Sequence, residues 1–266
     1  MRGPYPIICR GHSGSRLLSE AFRHNGIWMG VSDNKQRDAK EFDQRNPVVR
    51  YLVQAGFRYS ELTEPARLEL QRLMVGLVEL SKSNCPNPEE RIAFGWKRAI
   101  TTFACEVVLD AYPEAKTVHL IRDGRDVMLS RLQARMKHLD DPFNRLVVFG
   151  DPSISEYRGK PLSEAVIEYR NEIEMHHWVT AVTFGLKAAK YGDRYLQVRY
   201  EDLCEYPKKT LSRVFEFLDL PLLAESREWT KANASVASIG KWRGREEELK
   251  DAIQIGEPLL KQLGYV

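Results

Sequence analysis

Two apolar runs, Ile7-Ile8-Cys9 and Val118-His119-Leu120-Ile121, each end in a polar loop that opens directly into a helical pattern. Short apolar runs bounded by turn signals read as buried strands. Strands separated by helical stretches predict a parallel sheet with helices on both faces. In such sheets ligands bind outside the carboxyl ends of the strands, which is where both polar loops fall. The chain therefore reads as α/β, a three-layer sandwich around a central parallel sheet.

The remaining pattern fills in this frame. A strand is expected at 5–9 and a helix at 16–24, with Leu17, Leu18, Ala21 and Phe22 on one face and Gly26 at its end. Thr63 is positioned to cap a helix running to about Ser81, and further helices are expected over 99–111, from near Asp126 to about Met136, over 163–190, 208–218 and 246–263. Strands are expected at 116–121 and 195–199. Two polar stretches, 30–60 (with Asn34, Lys35, Gln36, Arg37, Asp38 and Glu41) and 137–160, read as loops beside a site. The 266 residues allow one large α/β domain or two small ones, and the reading is a single domain over 1–266.

Composition narrows the function classes. A net charge of +3 gives no strong field for a nucleic-acid partner. The four cysteines are widely spaced without a CxxC pair, so no metal site is expected and the thiols read as reduced. No run is long enough to cross a bilayer as a transmembrane segment and the first residues lack a signal-peptide core, so a cytoplasmic location is expected. Oligomeric state is not legible, because an apolar helical stripe serves a core and an interface equally.

The first loop is Arg10-Gly11-His12-Ser13-Gly14-Ser15-Arg16. Gly11 and Gly14 permit sharp turning and close approach of a ligand. The amides that follow open a helix, a ready anion site. Ser13 and Ser15 add hydroxyls; Arg10, His12 and Arg16 add positive charge. Both the Walker A spacing with its Lys-Ser pair and the dinucleotide fingerprint are absent, which disfavours an ordinary nucleoside triphosphatase. The second loop, Arg122-Asp123-Gly124-Arg125-Asp126-Val127, is followed by Ser130. If Asp123 or Asp126 caps the next helix, Arg122 and Ser130 converge on one phosphate, a task suited to the guanidinium fork. Arg125 can pair with either aspartate.

With these loops the chain resembles the sulfotransferases that use 3'-phosphoadenylyl sulfate (PAPS), in the variant of bacterial and Golgi-type enzymes. His12-Ser13-Gly14-Ser15 falls on the family's 5'-phosphosulfate loop. Arg122 to Val127 with Ser130 falls on its 3'-phosphate motif, with Gly124 where proline often stands. Gly95-Trp96-Lys97 is similar to the segment carrying a lysine towards the sulfonate. Val198 to Leu203, including Tyr200, and Ile239-Gly240-Lys241-Trp242-Arg243 are similar to the post-strand segment and the late cofactor loop. The histidine at position 12 departs from the family's lysine or arginine, and it is a weaker permanent cation near neutral pH.

The resemblance implies a P-loop nucleotide-binding type of fold and transfer of a sulfuryl group from PAPS to a hydroxyl or amine of a small-molecule or carbohydrate acceptor, releasing adenosine 3',5'-bisphosphate (PAP). It implies catalytic roles for His12, Arg16 and Lys97, with Glu41 or Asp38 in the polar loop as a base. His176 and His177 are adjacent on the long helix and face different ways, so one of the two is expected to line an acceptor pocket and the other to pack or face solvent. Donor binding would fall to Arg10, Gly11, Ser13, Gly14, Ser15, Arg122, Ser130, Tyr200, Lys241, Trp242 and Arg243. The competing functions are a P-loop nucleotide kinase or phosphotransferase, which predicts a magnesium ligand set and a lysine where Ser15 stands, and a nucleotide-binding protein without chemistry.

Overall fold

The alternation of apolar runs and helical patterns folds, in chain order, into β1 (Arg2–Cys9), α1 (Ser15–His24), β2 (Ile27–Trp28), α2 (Pro47–Gly56), α3 (Glu64–Ser83), β3 (Ala93–Lys97), α4 (Cys105–Ala111), β4 (Thr117–Ile121), α5 (Gly124–Arg131), α6 (Pro142–Phe149), β5 (Glu156–Tyr157), β6 (Lys160–Pro161), α7 (Leu162–Glu168), α8 (Arg170–Leu186), β7 (Tyr195–Arg199), α9 (Tyr200–Glu205), α10 (Pro207–Phe217), α11 (Ala224–Asn233) and α12 (Lys250–Gln262). This computed structural model describes residues 1–32, 36–131 and 138–266. Asn34 and Lys35 of the polar cluster, and the expected run of α5 on to Met136, lie outside the described residues. The chain divides into two compact units, one of Met1–Ile121 with Gly185–Val236 and one of Arg122–Phe184 with Ala237–Val266.

The first unit carries a five-stranded parallel sheet in the order β2-β3-β1-β4-β7, flanked by helices. Ile7 of β1 lies between Lys97 of β3 and Val118 of β4, and Cys9 lies opposite Leu120. After β1 the chain travels to the β3 side; after β4 the next strand of the sheet is β7, on the other side. The direction of winding therefore reverses between β1 and β4, the switch point at which open α/β sheets leave a crevice. Ile7, Ile8, Phe94, Trp96, Val118 and Leu120 are buried, and Phe42 stacks on Trp96 with ring centroids 4.2 Å apart.

Five elements of this unit were not expected, β2, α2, β3, α9 and α11, and two of them bear on the site. β3 is short, holds a glycine and ends in a charge, so it lacks a strand's usual signature, yet its five residues are all buried. The 30–60 stretch contains α2, capped by Asn46, whose side chain accepts from Val48 N, and anchored by Val49, Leu52 and Val53. The expected 99–111 helix opens as a 3₁₀ turn over Ala99–Ala104 before α4 begins. That turn brings Thr102 to the end of β1, where its hydroxyl accepts from Cys9 N and donates to Cys9 O, both at 3.0 Å.

The second unit holds α5, α6, the β5–β6 hairpin, α7, α12 and nearly all of α8. The 137–160 stretch is thus more than a polar loop. Asp141 caps α6 by accepting from Phe143 N at 2.9 Å, and Phe143, Leu146 and Val147 are buried. Arg158 and Gly159 both have positive φ, which fits the tight turn of the hairpin. The single helix expected over 163–190 is broken at Tyr169 (φ −106°, ψ 34°), whose ring packs edge-on against Tyr157 at 5.9 Å. No helix among the described residues is long and apolar enough to cross a membrane.

Candidate active site

In the first unit the loop after β1 is built from backbone more than from side chains. His12 (φ 70°) and Gly14 (φ 78°) take left-handed conformations, whereas Gly11 does not. The sharp turn expected of Gly11 is thus made by His12, a residue type that enters this region more readily than most. Gly14 could not be another residue: a Cβ there would sit 2.1 Å from the Tyr200 ring. Tyr200, at the start of α9, is therefore a packing residue against the loop.

Helix α1 starts from Gly14 with no side-chain cap and no acidic residue in its first turn. Among the described residues no side chain caps that start, so its first N–H groups and its dipole face the loop. The Ser13 hydroxyl is buried, at 1 % exposure, and has no hydrogen-bond partner among the described residues. Ser15 is buried and hydrogen-bonds the Cys9 thiol, while burial pushes that thiol up from its ordinary value. Arg10 is buried and donates to Gly11 O at 3.3 Å; His12 and Arg16 are exposed. An orphaned buried donor beside an uncapped helix start fits an anionic ligand.

Lys97, the last residue of β3, is buried and donates to Asp38 Oδ1 at 2.6 Å and to Gln36 O. Arg98 approaches the same carboxylate at 3.4 Å and pairs with Asp43. Glu41 does something different. Its Oε1 accepts from Val31 N at 3.2 Å and from Asn84 Nδ2 at 3.4 Å, tying together the ends of the 31–41 loop. Of the two acidic residues noted in sequence, the structure joins Asp38 to Lys97 and turns Glu41 to the loop backbone.

In the second unit the charged residues of the second motif are engaged with one another and with backbone. Asp123 caps α5: its Oδ1 accepts from Arg125 N at 2.9 Å, and its carboxylate takes a two-pronged contact from the Arg125 guanidinium at 2.9 and 2.7 Å. Arg125 also donates to Tyr265 O at 2.8 Å and lies 3.6 Å from the centroid of the Trp242 ring, a close cation–π contact. Trp242 thus rests on Arg125. Arg122 is buried and its guanidinium donates to Ser238 O. Ser130 lies one turn further along α5 and is partly exposed. Lys241 and Arg243 are exposed. Gly124 packs flat against Trp178, where a Cβ would sit 2.5 Å from the indole, and the indole N–H donates to Arg122 O at 3.0 Å.

His176 accepts or donates at 3.2 Å to the Tyr157 hydroxyl, and burial lowers its pKa from the ordinary value. His177 is buried on α8. His119, inside β4, is fully buried against Tyr195.

The sequence profile of the Sulfotransferase family matches residues 15–225. The chain belongs to the sulfotransferase family. Its members transfer a sulfuryl group from PAPS, and this sulfotransferase accordingly takes PAPS as donor and leaves PAP. No curated protein sequence matches it. Among solved structures it is similar to the sulfotransferase domain of the Synechococcus PCC 7002 olefin synthase, with a TM-score of 0.53 and 18 % identity over 97 % of this chain and 96 % of that one. The sulfotransferase domain from the curacin biosynthetic pathway gives a TM-score of 0.56 and 15 % identity over 100 % of this chain and 99 % of that one. Sulfotransferase STF9 from Mycobacterium avium gives 0.50 and 12 % over 98 % and 76 %. At these identities the likeness is one of fold.

The profile match begins at Ser15 and ends at Glu225, so Arg10 to Gly14 precede it and Gly240 to Arg243 follow it. The pattern of the sequence leaves Asp38 and Glu41 as equal candidates for the base, gives Asp126 only as a capping residue or a partner of Arg125, and does not point to Thr102. The doubled aspartate of Arg-Asp-Gly-Arg-Asp was the available signal for Asp126, since a second acid in a first helical turn needs donors when buried.

Proposed function

We propose that this sulfotransferase grips PAPS through two separate devices and passes its sulfuryl group to a hydroxyl, or an amine, of a small-molecule or carbohydrate acceptor. The observation that carries the first device is the orphaned Ser13 hydroxyl beside the uncapped start of α1. Ser13, Ser15 and the backbone amides from Gly14 onward hold the 5'-phosphate, with Arg10, Gly11, His12 and Arg16 adding positive field. The second device is the motif after β4, where Arg122 and Ser130 bind the 3'-phosphate and Lys241 and Arg243 add charge from the late loop. Trp242 supports that loop through Arg125.

In the reaction the acceptor oxygen forms a bond to sulfur, the bond from sulfur to the bridging phosphate oxygen breaks, and the electron pair leaves on PAP. Lys97 stabilises the charge on the transferring group and the departing phosphate. An ammonium has three donors, and among the described residues two of them go to Asp38 and Gln36, which leaves one for the ligand. Asp38, held by Lys97, is the better placed acid to take the acceptor proton; Glu41 is assigned to loop support instead of base catalysis. With Lys97 carrying the charge, the histidine at position 12 need not be a permanent cation. A cytoplasmic location is part of the same reading, in keeping with four buried cysteines that form no disulfide.

Calorimetry tests this reading. PAP should bind at least about tenfold tighter than adenosine 5'-phosphate, an advantage of the size expected for charge-assisted hydrogen bonds, and Arg122→Ala should remove it. Equal binding of the two nucleotides by the unmodified protein would sink the assignment. Radiolabelled PAPS with panels of hydroxylated and amino acceptors identifies the acceptor class.

A further inference from the structure

Asp126 has no role in the assignment above, yet it is fully buried and both of its carboxylate oxygens accept hydrogen bonds. It lies in the first turn of α5, where the helix dipole favours a carboxylate. Its Oδ2 accepts from Gly240 N and its Oδ1 from Lys241 N, both at 2.7 Å. Arg122 stands 3.9 Å away. Burial pushes the carboxyl up from its ordinary value, against the pull of the Gly240 amide and the Arg122 charge. The two amides belong to the turn that carries Lys241, and Gly240 takes a left-handed φ of 74° there. Arg122 holds the carbonyl of Ser238 just upstream. All of these residues lie within one compact unit.

We propose that Asp126 is a positioning residue for the donor: its carboxylate fixes the Gly240–Lys241 turn in the conformation that presents Lys241 and Arg243 to the 3'-phosphate. One motif thereby supplies both the phosphate-binding arginine and the anchor of the loop that assists it. The inference rests on the assignment of the 3'-phosphate to Arg122 and the late loop. Its physical content is specific. A bond between two amides and the two oxygens of one carboxylate fixes both the position and the tilt of the turn. An alanine at 126 leaves both amides unmet and the turn free to adopt other conformations.

The test measures binding of PAP and of adenosine 5'-phosphate to the unmodified protein, Asp126→Asn, Asp126→Ala, Lys241→Ala and the Asp126→Ala/Lys241→Ala double variant, with thermal unfolding as a check on folding. Asp126→Ala should weaken PAP by about tenfold or more, in the range of lost charge-assisted hydrogen bonds, and change adenosine 5'-phosphate by less than about twofold. The double variant should bind PAP within about twofold of Asp126→Ala, since a released turn no longer presents Lys241. Asp126→Asn keeps the volume and one acceptor oxygen, and should fall about threefold. If Asp126→Ala does not fold, the asparagine variant decides alone. Equal weakening of both nucleotides, unchanged PAP affinity, or additivity of the Asp126 and Lys241 effects would overturn the proposal. A protein that prefers PAP while its Asp126 variants keep that preference refutes this role alone; an unmodified protein without the preference refutes the nucleotide assignment beneath it.

Discussion

The loop after β1 and the motif after β4 are both strand-to-helix junctions rich in charge, but they are stabilised by different means. The first is shaped by dihedral angles: left-handed His12 and Gly14, an uncapped helix start and a tyrosine ring pressed on the glycine. The second is shaped by side-chain bonds: Asp123 with Arg125, Asp126 with two amides, Arg122 with a carbonyl. A junction made from backbone can change its side chains, provided the allowed angles are kept. A junction made from buried charges can lose no partner without stranding another. On this ground the side chain at position 12 is replaceable where Asp123, Arg125 and Asp126 are not.

Three substitutions bear on that contrast and one change of pH bears on the sheet instead, from the largest effect to the smallest. Asp123→Ala strands the buried Arg125 guanidinium and removes the cap of α5; it should cost about 3–5 kcal/mol in denaturant unfolding, and a cost under about 1 kcal/mol would mean the second junction is not held by its charges. Gly14→Ala combines an unfavourable left-handed alanine with a clash against Tyr200, and should cost about 3 kcal/mol, with loss of PAP binding. Its failure to do either would remove the backbone argument for the first loop.

Acidification acts on neither junction first. His119 lies in β4 with its pKa lowered to about 3 by burial, against an ordinary value of 6.5. Between those values the unfolded chain binds a proton that the folded chain refuses, so stability should fall as pH drops from 6.5 towards 3. His119→Gln should flatten that slope in denaturant titrations run across the same window. The smallest effect is expected at position 12. His12→Gly should raise stability by about 1 kcal/mol through relief of the left-handed angle, and leave PAP affinity within about threefold. A large loss of affinity there would show that the imidazole, and not the backbone, does the binding.

The parts legible in sequence were those where one segment contains its own explanation. β1, β4 and β7 follow from apolar runs, α1 and α10 from their apolar faces, and the two anion-binding junctions from glycine, serine and arginine in strand-to-helix context. β3 was illegible as a strand because Gly95 and Lys97 dilute five residues, although Trp96 and Phe94 are completely buried. The break at Tyr169 has no proline or glycine to announce it and involves a tyrosine contact with Tyr157 across the hairpin. The choice between Asp38 and Glu41 depended on where Lys97 points, and that between Asp123 and Asp126 on amides over a hundred residues away. In α2 and α6 the signals were present, Asn46-Pro47 and Asp141-Pro142 ahead of apolar spacing, and were outweighed by the polarity of their surroundings.

The contact of Gly124 with Trp178 makes two distant positions a single choice. A proline at 124 requires space that the indole now fills, and the indole in turn caps the carbonyl of Arg122. Relatives with proline at this point should therefore carry a smaller side chain at the position of Trp178, and a graft of the common motif into this chain should succeed only as a paired exchange.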